Sequence, residues 1–191
     1  MYMVARVEDV VRIPPRYFHL PLRDAALRVL REKYEGRVSP ELKGIIITVL
    51  DVQVEEMGRI VPGDPGTWHH AVFDLLVFRL EQNEVVEGKV SDITTYGIQV
   101  NLGPIDGFIH ISQISNRRVM INEREGIVVE EGTNRVLRKG DKVRAKVQAV
   151  SFRIGPRMRP RIALTMRGWL LGKLEWIEEE LKKSEAAKAE G

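Results

Sequence analysis

Residues 84–167 constrain the fold more than any other part of this chain. They read EVVEGKVSDITTYGIQVNLGPIDGFIHISQI, then LRKGDKVRAKVQAV, and finally RIALTMR. Short runs alternate apolar and polar residues, and glycines interrupt them. Alternation at period two marks strands with one buried face, and several such strands with Gly-rich turns suit a small closed β-barrel. The pattern sends Ile98, Val100 and Leu102 inward, so Gln99 and Asn101 point out. It buries Ile109 and Ile111 and exposes Phe108 and His110, with Tyr96 turning onto the same outer surface. Val143, Ala145, Val147 and Ala149 fill the core and leave Lys142, Arg144 and Lys146 outside. Ile162, Leu164 and Met166 do the same in the last strand, exposing Arg161 and Thr165.

Exposed rings stack on the flat faces of unpaired bases with little sequence preference, and neighbouring cations hold phosphates. Tyr96, Phe108, His110, Lys142, Arg144, Lys146 and Arg161 are therefore the candidate RNA-binding residues. The plainer account of a Phe-x-His pair is a ring packed under the 116–138 insertion and a histidine capping a loop. Tyr96 and Arg161, placed by the same alternation, favour the binding surface. Charge agrees. The chain carries net charge +3, yet residues 135–167 hold 11 basic residues against Asp141 alone, a net of +10. Such a strip beside stacking rings suits a polyanion.

The first 80 residues differ. They carry 11 basic and 11 acidic side chains. A Val-rich strand ends at Pro14-Pro15, which cannot donate ladder hydrogen bonds. LRDAALRVLREKY then places Leu22, Ala26, Val29 and Leu30 on one helical stripe, with Gly36 suited to the left-handed position past the helix end. The run GIIITVLDVQVEE (44–56) reads as a buried strand, PGDPG (62–66) as a turn, and residues 71–80 as another apolar strand. The organisation expected is an α+β domain over 1–80 and a barrel over 81–167 with an insertion at 116–138. In that insertion VMIN and GIVVEE form a hairpin across NERE. A C-terminal helix follows over 168–191, with Leu170, Leu174 and Ile177 as its apolar stripe and a tail that frays over roughly its last five residues.

Several chemistries lack their residues. There is no cysteine, so disulfides and zinc–thiolate sites are excluded. His69 and His70 are adjacent and point to opposite faces of a strand, so no metal site is expected. No phosphate loop, nucleophile elbow or HExxH motif occurs, so neither a cofactor nor catalysis is expected. No apolar run reaches the roughly 20 residues of a membrane helix, and residues 1–12 are too polar for a signal peptide, which suggests a soluble, cytoplasmic protein. The lack of cysteine and the abundance of arginine are compatible with a heat-adapted archaeal source.

Gly88-Lys89-Val90, Tyr96-Gly97, DGFIHIS (106–112), Gly140-Asp141-Lys142-Val143 and RIALT (161–165) together resemble the S1 domain, an OB-fold RNA-binding module. In that family the positions of Tyr96, Phe108, His110 and Arg161 line the nucleic-acid face. The chain departs from it at Gln99, where a second aromatic is frequent, and at Ser151, where an acid is frequent, which implies weaker stacking.

The chain as a whole is similar to a narrower family. VRIPP (11–15), PLRDAA (21–26), KYEGRV (33–38), GRIVPGDPGTWH (58–69), EVVEGKV (84–90) and LTMR with LGKLEWIEE (164–179) occur together in the larger subunit of the archaeal RNA polymerase stalk. That subunit is called E-prime and is the counterpart of the seventh subunit of eukaryotic RNA polymerase II. The resemblance implies an α+β N-terminal RNP-like domain, then an all-β OB-fold (S1) barrel and a C-terminal helix. It implies a non-catalytic stalk subunit that binds emerging single-stranded RNA and assists open-complex formation. A heterodimer with the smaller polymerase stalk subunit, and anchoring on the polymerase core through Pro62, Gly63, Asp64, Pro65 and Gly66, follow from the same resemblance. Without it, 62–66 is equally an ordinary hairpin loop, and Trp68 either a contact anchor or a packing residue. The rival function is a free-standing S1 adaptor in translation or RNA decay; a nucleic-acid-processing enzyme lacks any candidate centre.

Overall fold

In the computed structural model, residues 1–133, 135–152 and 160–189 are described. They form two compact units, Met1–Arg79 and Leu80–Gly191. Of the basic strip, Arg153, Arg157 and Arg159 lie outside the described residues, as do Glu190 and Gly191 of the tail expected to fray.

The first unit is one sheet covered on one face by one helix. Its elements are β1 (Tyr2–Ile13), α1 (Leu22–Tyr34), β2 (Val38–Ser39), β3 (Gly44–Val54), β4 (Arg59–Ile60) and β5 (Thr67–Arg79). The sheet order is β1-β5-β3-β2, with β4 also on β5. β5 pairs antiparallel with β1 along its whole length, from Tyr2 opposite Phe78 to Ile13 opposite Thr67. Because side chains alternate, Val11, Ile13, Phe73, Leu75 and Val77 face α1 together with Ile46, Val49 and Val52 of β3. The helix contributes Ala25, Ala26 and Leu30 to this core, while Leu22 and Val29 are only half-buried. The expected stripe is thus shifted to include Ala25, which lets the helix approach the sheet closely. Gly36 has φ +72° and donates its N–H to Ile46, joining the helix end to β3.

β3 is less enclosed than its continuous apolarity suggests. Register shifts at Ile46/Thr48 and Val49/Asp51 break its alternation and leave Leu50 exposed. The enclosed strand is β5, which has a neighbour on either side. On the far face polar pairs, Arg6 Nε bonded to Asp74 at 2.8 Å and His70 to Glu8 at 2.7 Å, alternate with the exposed Tyr2, Val4 and Val10.

The second unit is a closed barrel. Its strands are β6 (Val85–Thr94), β7 (Gly97–Asn101), β8 (Asp106–His110), β9 (Val119–Asn122), β10 (Ile127–Glu130), β11 (Val136–Arg138), β12 (Lys142–Phe152), β13 (Pro160–Thr165) and β14 (Gly172–Lys173), followed by α2 (Leu174–Ala189). The order β13-β8-β7-β6-β12-β14 closes through β12–β13, with β13 parallel to β8. Val90, Ile98, Val100, Ile109, Val143, Val147 and Leu164 are buried inside. Ala149 is not. A bulge between Val147 and Ala149 reverses the alternation, so Ala149 is exposed opposite Ala163 and Val150 pairs with Ile162. Ile111 is also outside β8, in a 3₁₀ turn over Ile111–Gln113.

The insertion forms the expected hairpin, β9 with β10, and adds β11 as a third strand. Glu130 is buried there and accepts hydrogen bonds from the Ser115 and Thr133 hydroxyls. Burial pushes its carboxyl up, but those two bonds and the nearby Arg135 and Arg117 outweigh this and hold it below the ordinary range. α2 buries Ile177 and stays helical to Ala189, into the stretch expected to fray. Leu170 is not on its stripe, because it lies before the helix in a turn at φ +59°.

Phe73 fills the centre of the first core, so Phe73→Ala should cost about 3–5 kcal/mol. A urea titration followed by circular dichroism checks this against Val10→Ala on the exposed face, which should shift stability by less than about 0.5 kcal/mol.

Candidate nucleic-acid interface

Close backbone approach positions the rings. A Cβ on Gly97 would lie 2.1 Å from the carbonyl oxygen of Ile109, and its φ is +154°, so only glycine fits. This contact draws the β6–β7 turn against the end of β8, where the Ile111 N–H donates to the Tyr96 carbonyl at 2.9 Å. Tyr96, 73% exposed, therefore sits beside the His110 end of β8. Phe108 is 37% exposed, with Gln99 opposite it on β7 and Ala163 opposite it on β13. The residue is partly covered and partly open to solvent. His110 does cap a loop: its Nδ1 accepts from the Ser112 N–H, which fixes the imidazole orientation while the residue stays exposed. The capping role and an exposed ring coexist.

Arg161 starts the exposed row of β13. Its cross-strand neighbour is Ser151 rather than an acid, and Ile162 beside it pairs with Gly107 on β8. Tyr96, Phe108, His110 and Arg161 are thus gathered on neighbouring elements. The β12 cations are not all brought to them. Lys146 lies opposite Thr165 of β13, close to this surface. Lys142 and Arg144 lie where β12 pairs with β6, opposite Lys89 and Glu87. Arg144 is also committed to Glu87, with bonds of 2.9 and 2.7 Å.

The 62–66 turn lies between β4 and β5 and is organised by Asp64. Its carboxylate accepts from Arg12 (Nε at 2.8 Å, and Nη2), from the Gly66 N–H at 2.9 Å and from Trp68 Nε1 at 3.0 Å. These bonds, Arg12's foremost, hold the carboxyl far below the usual carboxylate range. Trp68 is accordingly a structural brace for the turn. His69 is buried beneath, hydrogen-bonded to the Glu55 carbonyl and the Thr67 hydroxyl, while His70 faces the other side. Among the described residues no group of three or more His, Cys, Asp or Glu is placed to hold a metal ion. Around the braced turn Met57 is 90% and Ile60 77% exposed, with Val61 exposed beside them. Sequence reasoning missed the brace; the signal was an aspartate between two Pro-Gly steps and an arginine at the end of the first strand.

The family model of the SHS2 domain found in the N terminus of Rpb7p/Rpc25p/MJ0397 matches residues 8–65, and that of the S1 RNA binding domain matches residues 79–155. The DNA-directed RNA polymerase subunit Rpo7 of Saccharolobus shibatae is 43% identical over 182 residues, 95% of this chain and 100% of the relative. The chain belongs to the Rpo7 family. A further Rpo7-like relative is the DNA-directed RNA polymerase III subunit RPC8 of Saccharomyces cerevisiae, 27% identical over 97% of this chain and 89% of its own length. The small ribosomal subunit protein bS1 homolog of Bacillus cereus is 32% identical over 74% of this chain but only 34% of its own length. The N-terminal unit is therefore an SHS2 domain and the barrel an S1 domain, in a subunit of an RNA polymerase. Among the described residues no helix is long and apolar enough to cross a membrane.

Because Asp64 is depressed in the folded chain, its contribution to stability is complete above the ordinary aspartate value of 3.8 and is lost as pH falls through the folded value. Asp64→Asn should therefore have a lower Tm at neutral pH and a Tm that falls less steeply below about pH 4. Thermal unfolding across that range, followed by circular dichroism, checks both.

Proposed function

We propose that the chain is a non-catalytic stalk subunit of a DNA-directed RNA polymerase, whose S1 barrel binds emerging single-stranded RNA. The observation that carries this is the register of β7, β8 and β13, which puts Phe108 and Arg161 on one outer surface with Tyr96 and His110 beside them. Rings supply base stacking of about 1–3 kcal/mol each, and cations supply phosphate contacts. The SHS2 unit suits the other half of the task. Its braced turn at 62–66 gives a stiff base next to the exposed Met57, Ile60 and Val61 that precede it, which favours anchoring on the polymerase core. The far face of its sheet exposes Tyr2, Val4 and Val10, a surface that the smaller stalk subunit would cover in a heterodimer. A cytoplasmic subunit that guides transcript and assists open-complex formation fits these parts. A free-standing adaptor is disfavoured by the nearly end-to-end match to polymerase subunits and the short share of the bS1 homolog covered.

Two measurements test this. Phe108→Ala and His110→Ala should each weaken single-stranded RNA binding by at least about fivefold in a fluorescence-anisotropy titration, with the fold intact. Unchanged affinity in both would show that RNA does not use this face. Replacing 62–66 by a flexible Gly/Ser turn should abolish co-purification with polymerase subunits while RNA affinity stays the same; retention of the polymerase would remove the anchoring role.

A further inference from the structure

The barrel register leaves the candidate RNA surface in two parts, rings at the β8 end and cations on β12. The turn over 166–171 runs between them. At its start the Met166 N–H donates to the Gln113 carbonyl at 2.8 Å, and Arg167 donates to Asn116 Oδ1 at 2.8 Å and to the Ser112 carbonyl at 3.4 Å. Ser112 is the residue whose N–H is capped by His110. At its end Gly172 pairs with Arg144 on β12. Trp169 lies within this bridge, only two residues and so at most about 7 Å of chain from Arg167. It is 83% exposed. The backbone on either side is unusual: Gly168 has φ +154° and Leu170, a bulky residue, has φ +59°, a region such side chains seldom adopt. A turn that places a strained leucine beside a solvent-exposed indole has not been shaped to bury that indole.

We infer that Trp169 is a fourth stacking platform, with Arg167 on the phosphate beside it, carrying single-stranded RNA from Tyr96 and His110 towards Lys142 at the start of β12. This rests on the assignment of the barrel face made above. An exposed indole is also a common anchor for protein partners. RNA is favoured here by position: the turn is tied to the ring-bearing end of β8 at one side and to the cation-bearing strand at the other.

The test uses the full chain and a single-stranded RNA of about 12 nucleotides, within the range one OB fold holds. Trp169→Ala should weaken binding at least about fivefold, the low end for one base stacked on a ring, while Trp169→Phe, which keeps a ring, should recover most of the affinity. Trp169→Ala binding as tightly as the unaltered chain, with Phe108→Ala still weakened, overturns this inference and leaves the barrel-face assignment standing. Unchanged affinity in Phe108→Ala, His110→Ala and Trp169→Ala together overturns both. If Trp169→Ala keeps RNA affinity and instead loses a polymerase subunit on co-purification, the indole belongs to a protein contact and the inference fails.

Discussion

Closure of the barrel by β12 is the constraint on which the rest of this unit depends. The first half of the strand pairs with β6 and the second half with β13, and the bulge after Val147 lets one strand serve both neighbours. Closure removes the open edges that an isolated sheet would offer to other chains. It also brings β13 parallel to β8, which needs a second device. A Cβ on Gly107 would lie 2.4 Å from Leu164 Cδ1, so glycine at that position admits the leucine that seals the core. The same pairing sets Ala163 beside Phe108 and carries Arg161 onto the surface. Packing inside and the proposed RNA face outside are thus two consequences of one register.

Period-two alternation was legible wherever the strands are regular. Ile98, Val100 and Ile109 are buried and Gln99, Phe108 and His110 exposed, as the pattern requires. Legibility failed at bulges, because an extra residue leaves no mark in composition. Ala149 continued a clean alternation in sequence yet lies outside, since Gln148 is the residue that breaks the ladder. Leu50 in β3 failed for the same reason. Leu170 was misplaced by a helical stripe that ignored the glycines at 168 and 172, both of which have positive φ and shape a turn. The pairing of Arg144 with Glu87 spans 57 positions of sequence, and only strand register reveals it.

Charges are paired in both units, in the barrel between Arg144 and Glu87 and between Arg135 and Glu180. In the SHS2 unit Arg6, Arg12, Arg23 and Lys33 each meet an aspartate at close range. The exposed pairs among them, Arg6–Asp74 and Arg23–Asp51, contribute little stability, whereas Arg12–Asp64 is partly buried in the brace of the 62–66 turn. Their main effect is cancellation: a surface with paired charges projects little field and leaves shape and apolar contact to decide its partners. In the barrel Arg161 lies opposite Ser151, where an acid would have neutralised it. With serine there, the positive potential of Arg161 is left in place at the edge of the proposed stacking surface.

On the proposed reading, the neighbours of Phe108 set the strength of the grip on RNA. Gln99 and Ala163 flank the ring, and neither can close on a base from the other side. A base resting on one open face gains less than one held between two rings, so each contact stays near the low end of the stacking range, about 1 kcal/mol. Useful affinity must then come from several such contacts in series together with phosphate neutralisation, which weakens as salt rises. Series binding through weak, sequence-tolerant sites allows one base to leave its ring while others hold. On the proposed reading that property matters more than affinity, because a transcript leaving a polymerase has to be retained and yet advance by a nucleotide at every step.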